Sequence, residues 1–176
     1  MVDSGDVSSA GESALVSVET DDIVQGCVKW LESKSDLTVM LGEFEEFPNQ
    51  YYLFQYEMGV VLEGTQKAAV VVDQMGSWAS PNVHNSMKFP RLKIEIWVDP
   101  IRDPERNFVN RSETRRRMNA IYNTVDRYLH RPQGGEQIWG TVRTVDCTRL
   151  GEPVIYPVGD GDAMLRGQVF YGCSVG

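Results

Sequence analysis

Arg91-Leu92-Lys93-Ile94-Glu95-Ile96-Trp97-Val98 alternates strictly. Leu92, Ile94, Ile96 and Val98 point one way and Arg91, Lys93, Glu95 and Trp97 the other, because successive side chains of a strand leave opposite faces. The period is two, so the stretch reads as a strand with one apolar face. Its other face carries mixed charge, which suits solvent or a polar contact with a neighbour. Beyond it runs a loop, Asp99-Pro100-Ile101-Arg102-Asp103-Pro104-Glu105-Arg106-Asn107, whose two prolines keep it out of any ladder. From about Ser112 to His130 the period becomes helical. Met118, Ile121, Tyr122, Val125 and Leu129 form one apolar stripe. Asn110 or Ser112 can cap this helix, and Pro132 stops it.

Working upstream, Thr20 can cap an earlier helix over about 20–33, with Asp21 and Asp22 in its first turn, where negative charge is favoured. Ile23, Val24, Cys27, Trp30 and Leu31 share one face of it at helical spacing. Leu37-Thr38-Val39-Met40-Leu41 reads as a short strand. An acidic loop with two aromatics follows, Gly42-Glu43-Phe44-Glu45-Glu46-Phe47-Pro48. Val60-Val61-Leu62 and Ala68-Ala69-Val70-Val71-Val72 flank a glycine-bearing connection and predict a β-hairpin. The unbroken valine run predicts a strand covered on both faces. Residues 73–89, with Trp78 and His84, are irregular and punctuated by glycine, serine, proline and asparagine.

Working downstream, Thr141 to Thr148, Val154 to Tyr156 and Leu165 to Tyr171 are β-like, separated by glycine-marked turns. The fold class expected is α+β: a mostly antiparallel or mixed sheet with two main helices packed on it. Residues 1–13 are small, polar and acidic and read as a flexible arm. Residues 14–176 read as a single domain. The chain has 176 residues, enough for one core without disulfides or a structural metal. The three cysteines, Cys27, Cys147 and Cys173, are widely spaced and odd in number. They read as reduced thiols rather than a disulfide framework or a zinc ribbon. The N-terminus lacks the basic start and apolar run of a secretory signal. The longest apolar run, Ala68 to Val72, is far too short to span a membrane, so no membrane partner is expected.

The net charge of −8 is uneven. Residues 1–50 hold eleven acids and two bases, whereas residues 91–131 hold six acids and ten bases. An acidic protein is a poor sequence-independent DNA binder, since phosphate attraction needs a basic surface. Arg111, Arg115, Arg116 and Arg117 lie at the start of the second helix, the end where the helix dipole disfavours cations. They read as a salt-bridging or phosphate-touching face, as a solvated helix face, or as partners for the acidic front half of a neighbouring copy. Aromatics at or near loops (Trp78, Phe89, Phe108, Trp139 and Tyr156) are the candidate anchors of such an interface.

Little in the sequence points to chemistry. His84 has no acid, cysteine or second histidine at useful spacing. His130 sits at the end of the second helix, where a cation is favoured. There is no Gly-x-Ser-x-Gly elbow and no phosphate-cradling Gly-x-x-x-x-Gly-Lys loop. Gly159-Asp160-Gly161-Asp162 fails the helix-loop-helix calcium pattern and reads as a turn. Asn110-Arg111-Ser112 matches a glycosylation sequon, read here as helix capping. No catalytic residue, metal or cofactor is expected.

The stretch Arg91 to Pro132 nonetheless resembles a family. An alternating strand ends Ile96-Trp97-Val98-Asp99-Pro100. Ile101-Arg102-Asp103 follows, then an arginine-rich helix ending Val125-Asp126-Arg127-Tyr128-Leu129-His130-Arg131-Pro132. This order looks like the tail terminator proteins of long-tailed, siphovirus-type bacteriophages. The helix with Val24 to Leu31, the Leu37 to Leu41 piece and the later hairpin sit where that family would put them. The resemblance implies a non-enzymatic virion protein, made in the host cytoplasm. It would assemble as a hexameric ring, cap the finished tail tube, and meet the head connector or stopper. DNA would pass through the lumen without specific binding. Glu43, Glu45, Glu46, Asp160 and Asp162 could then line the bore, where negative charge repels phosphates. The family offers no catalytic motif to map, and the acidic arm has no counterpart in it. Another head-to-tail connector, a stopper or completion adaptor, is the nearest rival reading. A ligand-binding module on an α+β scaffold is the other, and it would need a concave pocket with converging polar groups.

Overall fold

The computed structural model describes residues 20–42, 51–53, 68–77, 89–106, 108–132, 134–158 and 164–176. The arm at 1–13, the expected first hairpin strand at 60–62, Trp78, His84, Glu43, Glu45, Glu46, Asp160 and Asp162 lie outside them. Among the described residues the fold is α+β, with three helices and a seven-stranded sheet.

The order is α1 (Thr20–Glu32), α2 (Ser35–Leu41), β1 (Tyr51–Leu53), β2 (Ala68–Ser77), β3 (Pro90–Val98), α3 (Arg111–Leu129), β4 (Gln137–Trp139), β5 (Val142–Arg149), β6 (Val154–Val158) and β7 (Met164–Val175). The sheet runs β1-β2-β3-β7-β5-β4, with β6 also on β7. Its pairs are antiparallel except β1 with β2, which is parallel. The valine run of β2 is central, between β1 and β3, and Val70, Val71 and Val72 are all buried, as the sequence predicted.

β7 organises the sheet. One edge of it pairs with β3 from Leu165 to Gly172. Along the other edge β6 pairs with Met164 to Gln168 and β5 with Tyr171 to Val175. β5 and β6 thus form one line, broken by Leu150-Gly151-Glu152-Pro153. Gly151, at φ 92°, supplies a backbone conformation closed to most residues. Pro157 of β6 has no N–H to offer, as befits a strand with one neighbour among the described residues.

The helices cover one face. Ile23, Val24, Cys27 and Leu31 of α1 and Met118, Ile121, Val125 and Leu129 of α3 pack on Leu92, Ile94, Ile96, Val98, Val169 and Tyr171. α1 approaches β4 so closely at Gly26 that a Cβ there would lie 2.3 Å from the Trp139 carbonyl oxygen. Asn110 is the cap of α3, its side chain accepting from the Glu113 N–H. The connection from β3 to α3 is folded back on itself. Arg102 and Val109 form an isolated bridge, Asp103 N–H donates to the Phe108 carbonyl at 2.9 Å, and the Asp103 carboxylate accepts from Glu105 and Arg106 N–H.

Two expectations are corrected. Residues 37–41, expected to be a strand, belong to α2. Leu37 and Leu41 are both fully buried, four residues apart, while Val39 is 76% exposed, so the helical period governs and not the alternation. The helices therefore number three. On the second face of β3 the polar contact with neighbouring strands, one of the two environments expected, holds at the buried Glu95 and Trp97, while Arg91 is exposed. His130 Nδ1 accepts the Arg149 N–H at 3.0 Å, which fastens β5 to the end of α3.

Candidate functional site

The buried charge on the outer face of the sheet, away from the helices, is the most elaborate side-chain cluster among the described residues. Glu95 of β3 is its centre and is 5% exposed. Its Oε2 accepts from Trp97 Nε1 at 3.2 Å and Arg166 Nε at 3.1 Å. Its Oε1 accepts from Gln168 Nε2 at 3.0 Å, lies 3.2 Å from Lys93 Nζ, and meets the other arm of the Arg166 guanidinium. Lys93 also pairs with Asp73 of β2 at 3.3 Å. The guanidinium of Arg166 sits over the rings of Trp97 and Tyr156, 4.9 and 5.5 Å from their centroids.

The register brings these groups together. Trp97 faces Arg166, Glu95 faces Gln168, and Asp73 faces Lys93 across neighbouring strands. Burial alone would raise the Glu95 carboxyl. Hydrogen bonds from Arg166 and Lys93, and their charges, outweigh that and hold it below its ordinary value. Burial would likewise lower Lys93, but Glu95 and Asp73 raise it overall. A carboxylate has about four acceptor directions. Glu95 meets donors from four residues, so it has no lone pair to spare for a substrate proton. The cluster is a brace between three strands.

Beside it, a cavity of about 330 Å³ opens on the same face, lined by Phe89, Arg91, Asp146, Thr148 and Leu150 over the bare backbone of Gly172. Asp146 accepts from Ser174 Oγ at 2.9 Å. A second polar strap lies on the helix side. Tyr171 Oη donates to Asp126 Oδ1 at 2.8 Å, and Arg149 reaches Asp126 and Tyr122. Burial, then the bond to Asp126, pushes the Tyr171 phenol far above its ordinary value.

The residues expected at an interface fall into three groups. Phe108 (48% exposed), Arg111, Arg115 and Arg116 form an exposed rim at the start of α3, where Arg116 pairs with Glu113 at 2.7 Å. Phe89 and Tyr156 are half-buried on the outer sheet face, Phe89 in the cavity wall and Tyr156 against Arg166. Trp139 is a correction. It is fully buried in the core between α1 and the sheet, its Nε1 satisfied by Gln137 at 3.1 Å, so it anchors the monomer and not a partner. The Glu95 cluster was missed because its key partners lie 71 and 73 positions away, and only the alternation at 91–98 hinted at a polar face.

No helix among the described residues is long and apolar enough to cross a membrane. No protein-family model matches this chain, and no curated protein matches it.

Proposed function

We propose that this chain is a structural subunit of a bacteriophage virion: a tail terminator that caps the completed tail tube as a hexameric ring and meets the head connector. The reading carries no catalytic role. It rests on the resemblance of Arg91 to Pro132, which spans β3, the folded connection and α3.

The observation that carries it is the rim at the start of α3. Arg111, Arg115 and Arg116 are exposed there, beside the half-exposed ring of Phe108 on an ordered connection. Arg111, in the first turn of α3, acts against the helix dipole, Arg115 follows a turn later, and Arg116 is paired with Glu113 in the lone chain. An arrangement costly to the monomer makes sense where a second copy supplies the counter-charge, and residues 1–50 hold eleven acids against two bases. Arginine and aromatic side chains are also the residue types that carry most binding energy at interfaces. On this reading DNA passes the lumen unbound, past the acids Glu43, Glu45, Glu46, Asp160 and Asp162.

The test is the mass of the purified chain by mass photometry. A ring of six copies is expected, and the double reversal Arg111→Glu/Arg115→Glu should dissolve it into smaller species with unchanged circular dichroism. A chain that stays monomeric at high concentration, together with normal tail lengths in virions lacking the gene, would sink the proposal.

A further inference from the structure

Cys147 of β5 and Cys173 of β7 are direct cross-strand partners on the helix side of the sheet. Their sulfurs lie 2.8 Å apart, and both residues are buried, at 0% and 2% exposure. Cross-strand Cα spacings in antiparallel pairs are about 4.5 or 5.5 Å, and both fall inside the range a disulfide accepts. Closing the bond to about 2.05 Å moves the sulfurs together by less than about 1 Å. From this juxtaposition we infer that Cys147 and Cys173 are a modification site, oxidised by small hydroperoxides to a cross-strand disulfide that staples β5 to β7.

The chemistry needs an oxidant and a way in. Both sulfurs lie in the helix-side core, so a hydroperoxide reaches them when the strands open locally and not through the outer-face cavity. Cys173 reacts first, because burial holds its partner Cys147 in the less reactive thiol form. The Cys173 thiolate attacks the peroxide, the O–O bond breaks, and the products are a sulfenic acid and water or an alcohol. The Cys147 sulfur then attacks the sulfenic sulfur and expels a second water. Two thiols lose two electrons and two protons, and the peroxide takes up both.

Two features set the pace and the partner. Burial, then the hydrogen bond with Cys173, pushes the Cys147 thiol well above its ordinary value, and burial does the same to Cys27. Both are poor nucleophiles toward a free oxidant. Cys147 is held against its partner, so its low reactivity is offset by proximity once Cys173 is oxidised. Cys27, on α1, is not a ladder partner of either residue. The pair therefore forms only under oxidant.

The experiment uses the full chain, reduced, freed of reductant and treated with hydrogen peroxide. Thiols counted after denaturation should fall from three to one. Unreduced peptide mapping should join the Cys147 and Cys173 peptides with a mass loss of about 2 Da, the two hydrogens of a disulfide. The melting temperature should rise by about 5–10 °C, reversibly with dithiothreitol. Cys27→Ala should leave this result unchanged. A cross-link that contains Cys27, or three thiols persisting in the folded chain after peroxide, would overturn the inference. So would oxidation that stops at sulfinic acid without a cross-link. The mapping on the unsubstituted chain decides the matter even if a variant fails to fold.

Discussion

On the helix side of the sheet, Ile94 and Ile96 of β3 face Val169 and Gly167 of β7. On the other side, Glu95 and Trp97 of the same strand face Gln168 and Arg166. The inner set is buried; on the outer side Glu95 and Trp97 are buried, and Gln168 and Arg166 are half-buried over them. The inner set is held by apolar contact, which tolerates many arrangements of similar volume. The outer set is held by directional bonds between named atoms. A slip of β3 by one residue would carry Glu95 into the helix-facing core and Ile94 or Ile96 out of it. The comparison teaches that one face supplies most of the free energy and the other fixes which register receives it.

The largest effect should come from the inner face. Ile94→Ala removes a fully buried side chain beneath the helices, where the lining can collapse only in part. A loss of about 4 kcal/mol is expected in chemical denaturation. The outer face should come next. Glu95→Ala leaves Arg166 and Lys93 without their shared carboxylate and should cost about 3 kcal/mol. The comparison is sharpened by the double change Glu95→Leu/Arg166→Leu, which removes both charges at once. It should recover more than half of that loss, because apolar pairs replace buried ion pairs at little cost. If the double variant is as unstable as the single one, the face is not a charge brace and the contrast drawn here fails.

How much of this was legible depends on how far apart the partners are. The alternation of Leu92, Ile94, Ile96 and Val98 and the stripe Met118, Ile121, Tyr122, Val125, Leu129 are local signals, and both appear as read. Short segments were less clear. Leu37, Val39 and Leu41 fit a period of two as well as Leu37 and Leu41 fit a period near four, and only the burial of two leucines with Val39 exposed decides it. Trp139 lies near loops and so reads as an interface anchor, yet Gly26, over a hundred positions earlier, lets α1 close on it. Glu95 needed Asp73-bound Lys93 from its own face and Arg166 from a distant strand. A single sequence shows that a face is polar but not that distant charges converge on it.

The two faces should also differ in their response to pH. The carboxyl of Glu95 is lowered in the folded chain, so its contribution is complete above the ordinary carboxylate range and is lost as pH falls through the lowered value. Lys93 is raised, so its contribution is complete below the ordinary lysine range and fades only as pH climbs through the raised value. Between these limits the brace is intact. Glu95→Gln should therefore flatten the acid limb of a stability–pH curve, while Ile94→Ala should lower the whole curve without changing its shape. An acid limb of equal slope in wild type and Glu95→Gln would mean that other carboxylates govern acid unfolding.

The smallest expected effect tests the edge of the brace. Arg166 lies over the ring of Tyr156, which is half-buried on β6, the strand with β7 as its neighbour. A guanidinium over an aromatic face contributes about 0.5–1 kcal/mol at a partly exposed site. Tyr156→Leu keeps most of the apolar bulk but removes the ring, and should cost about that much. Tyr156→Phe keeps the ring and should be near neutral. A loss in the phenylalanine variant equal to that in the leucine variant would assign the effect to the hydroxyl. If neither variant loses stability, the Tyr156 ring does not help to hold Arg166, and the brace ends at β7.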